Sequence, residues 1–275
     1  MIETSPTASS WGLAEIPYGT IMHDSIRHRD DLLYLLAASS FVEILSDLTT
    51  QNLIQFFDGD EEVGRWLSTG WERDEVRHGQ ALRDYVRAVW PEFDWDAAYR
   101  NFFAEYSKLC TVEEMAPTRC LEMAARCVVE MGTAGYYHAL EQFAPEPVLR
   151  DLAGRIKNDE VRHYKHFYRY FLKYRVLEGP GRRRILAALV RRLGALRSED
   201  AEIAIWHAYQ SAHPTLHKES PEFRTQLAAI SAMVRAQFPA GMAIKMLLKP
   251  LYLPPVLRGL VSAPLALLTQ RWVLR

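Results

Sequence analysis

The chain predicts an all-α protein. It should have four long helices in two pairs, a long crossover between helices 2 and 3, and extra helices at its C-terminal end. Three observations carry that expectation. Over the first 178 residues glycine is sparse and period-two alternation is absent over any useful length. Four long stretches place apolar residues at helical spacing, each closed by a turn signal. The pentapeptide Asp-Glu-Val-Arg-His is written twice, at Asp74–His78 and at Asp159–His163, once in each pair.

The first stretch runs from about Asp30 to Phe57 and ends at an acidic, glycine-containing turn. The second runs from about Glu61 to Val89 and stops before Pro91. A shorter pattern, Trp95 to Leu109, lies in the crossover. The third begins at Pro117, a residue suited to a first helical turn, and reaches Phe143, where Ala-Pro-Glu-Pro breaks it. The fourth spans Pro147 to Leu177 and stops at Glu-Gly-Pro-Gly. Beyond Gly181 the pattern continues as shorter helices at Arg182–Leu196, Glu199–Ser211 and Pro221–Gln237, followed by a proline-punctuated, basic and apolar end. Residues 1–28 read as a loose tail, 29–178 as the bundle, and 179–275 as a basic helical extension packed on it. No linker is long enough to demand a second domain.

The net charge of −1 hides an asymmetry. From Gly179 onward there are 14 Lys/Arg against five Asp/Glu, a net of +9, which leaves −10 for the first 178 residues. Such an end suits an acidic carrier protein, an anionic membrane surface, or the acidic first part of the same chain. Cys110, Cys120 and Cys127 form neither a CxxC pair nor a disulfide framework, which predicts a reduced, cytoplasmic setting. The N-terminal twenty residues lack a basic region and an apolar core, so they do not read as a signal peptide. The apolar run from Gly259 to Leu268 is too short to cross a bilayer and contains a proline.

Residues three apart lie on one face of a helix. Glu75 and His78 therefore point together, as do Glu160 and His163. Two Glu-x-x-His pairs, joined by one glutamate from each of two other helices, make the ligand set of a carboxylate-bridged dinuclear metal centre inside a bundle. The missing glutamates are present. Glu43 sits among Phe, Val, Ile and Leu in the first stretch, and Glu130 follows Cys-Val-Val in the third. Glu43 precedes Glu75 by 32 residues and Glu130 precedes Glu160 by 30, so the halves match in type, order and spacing. Carboxylates are hard ligands able to bridge two cations, and four of them balance two divalent charges, which permits burial. Asp74 and Asp159 are candidates to orient the histidines from behind. A single Glu-x-x-His on a helix is ordinarily a solvated pair. The duplication is what turns the balance. Glu122, Glu141, His138 and His166 read as surface or supporting groups, with His138 nearest to the face of Glu130. Trp71, Cys127, Tyr137, Phe167, Tyr170 and Tyr174 also fall on the inner faces. Core packing is their first reading; the alternatives are an electron relay at Trp71 and an apolar substrate channel along the aromatics.

Trp-Glu-Arg-Asp-Glu-Val-Arg-His-Gly at Trp71–Gly79 resembles the first metal motif of the soluble acyl-acyl carrier protein desaturases, and Asn158–Phe167 is similar to their second. These belong to the ferritin-like di-iron carboxylate superfamily, and the resemblance covers roughly residues 30 to 175. It implies a ferritin-like four-helix bundle and two iron ions, with a manganese–iron pair compatible with the same donors. It implies Glu43, Glu75, His78, Glu130, Glu160 and His163 as metal ligands, and Thr133 as a catalytic threonine beside the oxygen site.

The expected function is an oxygen-activating oxidase or oxygenase, desaturase- or hydroxylase-like, working on a hydrophobic, fatty acyl substrate. Two alternatives stand beside it: a ferroxidase or peroxide scavenger, and a membrane-surface lipid or quinone hydroxylase. The expected partners are an apolar small molecule or acyl-carrier-bound substrate, an external electron donor, an acidic carrier protein or membrane surface, and a second copy of the chain in a homodimer. Nucleic acid is not among them.

Overall fold

The computed structural model describes residues 11–110, 115–195, 200–254 and 256–257. It is helical throughout, with no strand among the described residues. In chain order the helices are α1 (His23–Ile26), α2 (Asp30–Ile44), α3 (Ser46–Phe56), α4 (Glu61–Trp66), α5 (Glu72–Val89), α6 (Trp95–Tyr106), α7 (Arg119–Phe143), α8 (Pro147–Glu178), α9 (Arg182–Ala195), α10 (Asp200–Ala212), α11 (Pro221–Gln237) and α12 (Ala240–Leu248).

The helix ends follow local chemistry. Asp60, Asp94 and Glu146 cap α4, α6 and α8 by accepting from the otherwise orphaned backbone N–H groups of the first turn. Thr118 caps α7 through Leu121 N–H, so the helix starts at Arg119, and Pro117 precedes the cap instead of occupying the first turn. Gly179 closes α8 in the left-handed conformation, φ 58°, which a residue without Cβ adopts at little cost.

Two of the long stretches are subdivided. The one expected from Asp30 to Phe57 breaks at Leu45, and Glu43 sits in the last turn before that break. The one from Glu61 to Val89 is helical to its end, but Leu67–Trp71 forms a π-turn between α4 and α5. A π-turn admits one extra residue and so rephases every side chain after it, and it is frequent at functional sites.

The central packing pairs α2 with α5 and α7 with α8, and α5 meets α8 between the pairs. α2 is apolar on nearly every side because α5 covers one flank and α10 another. The span Asp30–Phe56 is long and apolar enough to cross a membrane, but most of it is buried inside the protein. α5 and α2 approach closely at Gly79. A Cβ there would lie 2.5 Å from Ile44 Cγ1 and 2.9 Å from the Ser40 carbonyl, so only glycine fits.

The extension from residue 179 packs back on the rest. α9, α11 and α12 lie against α7, and α10 lies against α2 and α6. α12 has no counterpart in the sequence reading, where prolines masked it. Part of the expected loose tail is structured: from Trp11 to Ile26 the chain runs through short turns with Trp11, Ile16, Ile21 and Ile26 in the core. Residues 1–10 of that tail, and Arg197, Arg258, Arg271 and Arg275 of the basic end, lie outside the described residues.

Candidate metal centre

Glu43 on α2, Glu75 and His78 on α5, Glu130 on α7, and Glu160 and His163 on α8 are all buried. They form two groups whose potential ligand atoms lie within 4.8 Å of one another: Glu43, Glu75, His78 and Glu160; and Glu75, Glu130, Glu160 and His163. Glu75 and Glu160 belong to both. The arrangement is therefore two tetrads sharing a pair of carboxylates, each completed by one further glutamate and one histidine. These buried acidic and imidazole groups could hold metal.

The two copies of Asp-Glu-Val-Arg-His face each other. His78 Nε2 lies 3.0 Å from Asp159 Oδ2, and His163 Nε2 lies 3.2 Å from Asp74 Oδ2. Each aspartate thus supports the histidine of the other copy. The arginines close the square. Arg77 reaches Asp74 at 2.7 Å and Asp159 at 2.7 Å, and Arg162 reaches Asp74 at 3.0 Å and Asp159 at 2.8 Å. Asp, Arg and His of both pentapeptides form one network behind the glutamates. Trp11 adds to it: its indole N–H donates to Asp159 Oδ2 at 3.0 Å, its ring stacks near that of His78, and the Arg77 guanidinium lies over it.

This backing fixes the imidazoles. A ring that donates Nε2–H to a carboxylate presents Nδ1 on its opposite side. His78 Nδ1 lies 3.5 Å from Glu43 and 3.2 Å from Glu160; His163 Nδ1 lies 3.0 Å from Glu75 and 3.6 Å from Glu130. None of these approaches is aligned as a hydrogen bond. The atoms Glu43 Oε2, Glu75 Oε1, both Glu130 oxygens, Glu160 Oε1, and Nδ1 of both histidines are buried without an aligned hydrogen bond. Native interiors rarely leave one such atom unsatisfied. Seven at one place are aimed at a shared centre, and cations are the species that this donor set fits.

Two hydroxyls touch the cluster. Thr133 Oγ1 donates to Glu160 Oε2 at 2.6 Å, and the Tyr137 hydroxyl donates to Glu43 Oε1. The electrostatics are those of crowded acids in a dry interior. Burial, followed by the charges of Glu160 and Glu43, raises the Glu75 pKa well above its ordinary value against the pull of His163. Burial pushes Glu130 up to about 7. Burial alone would depress His78 and His163. The surrounding carboxylates, led by Asp159 for His78 and by Asp74 for His163, outweigh it and raise both well above the usual histidine value. Burial would likewise raise Asp74 and Asp159, but their histidine and arginine partners hold both below the ordinary range.

The structure thus brings together Glu43, Glu75, His78, Glu130, Glu160 and His163, with Asp74, Asp159 and Thr133 in direct contact with them. Trp71 sits further out, packed edge-on to Phe167 and under the Arg126 guanidinium, with its indole N–H buried and unpartnered. The outlying candidates lie outside both tetrads. Glu141 pairs with Lys157 at 2.7 Å, Glu122 accepts from Ala116 N–H, and His138 is half-buried. His166 stacks on Trp66, and burial lowers its pKa to about 4. Phe167, Tyr170 and Tyr174 are packed core residues, and Tyr174 donates to the α4 cap Asp60. Cys127 is buried near Glu130, and burial raises its thiol pKa.

The sequence reading missed Trp11, because nothing in its neighbourhood signals a contact 148 residues away. It also missed Arg126, whose Nη2 lies 3.7 Å from Glu130 Oε1, although the i, i+4 spacing was visible. The chain was compared with protein-family models, curated proteins and solved structures, and nothing matches it.

Proposed function

We propose that this protein is an oxygen-activating di-iron oxidase or oxygenase built on a ferritin-like four-helix bundle of α2, α5, α7 and α8, with α6 in the crossover between α5 and α7. The observation that carries the proposal is the pair of buried tetrads sharing Glu75 and Glu160. Glu75 and Glu160, common to both tetrads, would help to hold both ions. Glu43 with His78, and Glu130 with His163, would complete the two ends. A manganese–iron pair is compatible with the same donors.

An iron pair so held supplies dioxygen activation and removal of hydrogen from an unactivated carbon. The chain's own groups set the conditions. Asp159 and Asp74 hold the Nε2 protons of His78 and His163 and leave each Nδ1 facing the cluster. Thr133 keeps a proton against Glu160 Oε2, and Tyr137 keeps one against Glu43, so both carboxylates are oriented and can exchange a proton with a neighbour. Tyr137 touches the cluster and Trp71 and Phe167 are buried further out, so the surroundings are apolar and dry. A hydrophobic substrate, a fatty acyl chain, suits such apolar walls, and an external donor must supply electrons because no CxxC-type centre is present in the sequence.

The test is oxygen consumption by reduced, iron-loaded protein given acyl carriers, free fatty acids or quinones. Faster consumption with an apolar compound, and its oxidised product, is the expected result. If only ferrous iron or peroxide turns over, the metal-handling reading replaces this one.

A further inference from the structure

The large apolar side chains exposed on this protein are not scattered evenly. Five, Met22, Val42, Ile54, Phe103 and Leu109, are spread over the first 110 residues. The other seven belong to one end of the molecule. Val176 and Leu177 finish α8 and are 87% and 71% exposed; Leu186 and Val190 follow on the outer side of α9; Tyr252, Val256 and Leu257 lie beyond α12.

Contacts join these segments into one face. Arg182 donates to the Tyr252 carbonyl at 3.1 Å, the Arg175 guanidinium lies 3.9 Å from the centre of the Tyr252 ring, and α9 packs on the turn at Lys249–Leu251. Arg175, Val176, Gly179, Pro180 and Tyr252 line a shallow cleft on it.

The face is also cationic. α9 turns Ile185, Ala188 and Leu189 into the core and leaves Arg182, Arg183, Arg184, Val190 and Arg191 outside. α9 and α12 contain no acidic residue. Arg183, Arg184 and Arg191 have no acidic partner among the described residues. Basic residues interleaved with exposed aliphatic ones fit a surface that is negative at its boundary and apolar just beneath it. The exposed apolar side chains come from three separate segments, which suits a continuous apolar layer better than the single groove of a folded acidic protein.

We propose that this face, the end of α8 with α9 and the segment after α12, docks on an anionic lipid bilayer. The arginines meet the headgroups, and the exposed aliphatic side chains enter the boundary layer. The face is continuous with α8, which also carries Glu160 and His163. Val176 lies thirteen residues beyond His163, about 20 Å of helix. On the proposed function, lipid-derived acyl chains would then be the substrate class within reach.

The experiment is co-sedimentation of the full chain with phosphatidylcholine vesicles, with and without phosphatidylglycerol. Wild-type protein should sediment with the anionic vesicles, not the neutral ones, and should be released by salt. Reversing Arg183, Arg184 and Arg191 to Glu should weaken the partition coefficient by roughly a hundredfold or more, at about fivefold for each cation removed. Val176→Ser with Leu177→Ser should reduce the binding that survives high salt. All five positions are solvent-exposed, so helical content and metal content should stay at wild-type values; this separates failure of the surface from failure of the metal reading. Sedimentation unchanged in the triple variant overturns the proposal. So does a wild-type chain that ignores anionic vesicles, whether this face instead binds an acidic acyl carrier protein or pairs with a second copy.

Discussion

His78 and Asp159 come from different copies of the repeated pentapeptide and meet at 3.0 Å, Nε2 to Oδ2, in the interior between α5 and α8. The reverse pair, His163 with Asp74, is at 3.2 Å. The repeat is therefore reciprocal: each copy is completed by the other. Asp159→Asn should weaken metal binding at the His78 end, and Asp74→Asn at the His163 end, each by roughly ten- to a hundredfold, the usual effect of removing a carboxylate behind a ligating histidine. A double-mutant cycle checks the exchange. Asp159→Asn should couple strongly to His78→Ala and add nearly independently to His163→Ala. The opposite pattern would show that each aspartate serves its own copy.

Metal stoichiometry follows from the sharing of Glu75 and Glu160. Protein produced with iron should carry close to two atoms per chain by elemental analysis. Glu75→Ala or Glu160→Ala removes a donor common to both tetrads and should take the content below one. Glu43→Ala or Glu130→Ala touches one tetrad and should leave about one atom. Unchanged content in Glu160→Ala would remove the second motif from the site.

The pH dependence of stability should differ between metal-free and metal-loaded protein. In the metal-free fold Glu130 has a pKa of about 7 against an ordinary 4.5, so the folded state holds its proton more tightly than the unfolded chain. That contribution is complete below about pH 4.5 and is lost as pH rises through about 7. His78 and His163, raised above the ordinary 6.5, act in the same direction at higher pH. Asp74 and Asp159 are lowered from 3.8, so their contribution falls only in acid, outside this window. The Tm of metal-free protein should therefore fall between about pH 5 and about pH 8. Cations compete with protons for the same atoms, so the gain in Tm on loading should widen over that range. A gain that narrows with pH would contradict this ligand set.

The six metal-ligand candidates were legible because helical periodicity converts sequence spacing into a shared face within each helix, whereas Thr133 was singled out only by the resemblance. The spacing from Glu43 to Glu75 and from Glu130 to Glu160 repeats because each pair of antiparallel helices returns the chain to the same level. Contacts between pairs were not legible. The exchange of aspartates, the seat of Trp11 against Asp159, and the hydroxyl of Tyr137 on Glu43 depend on how α5 faces α8 and α2 faces α7, which no local pattern encodes. The π-turn at Leu67–Trp71 was invisible for a different reason: it adds one residue to a turn without changing the residue types that favour helix.

Gly79 follows His78 and faces the α2 backbone at close range. Its replacement by Ala places a methyl 2.5 Å from Ile44 Cγ1 and 2.8 Å from the Ile44 backbone nitrogen, and backbone cannot swing aside. Overpacking of this kind costs about 1–3 kcal/mol. Because Glu43 lies one residue before Ile44, the same displacement should move a candidate ligand. Gly79→Ala should lower the urea midpoint and the metal affinity together, whereas Gly194→Ala, at an exposed helical position with open space around it, should lower neither.

At Thr133, orientation of a carboxylate can be separated from binding of metal. Its hydroxyl lies 2.6 Å from Glu160 Oε2 and only 3.2 and 3.3 Å from the carbonyls of Glu130 and Val129, so the carboxylate is its principal acceptor. Valine has the same shape without the proton. Glu160 would still present Oε1 to the cluster, so metal content in Thr133→Val should remain at about two atoms per chain. The lost interaction, a hydrogen bond to a charged group, is worth about 1.5–3 kcal/mol and holds one of the shared carboxylates in its orientation. Oxygen uptake in the presence of an apolar substrate should continue while product formed per oxygen consumed falls. Thr133→Ser, which keeps the hydroxyl, should restore the ratio. If Thr133→Val stays fully coupled, or Thr133→Ser is as uncoupled as valine, the hydroxyl has no part in the reaction and serves only to pack α7 against α8.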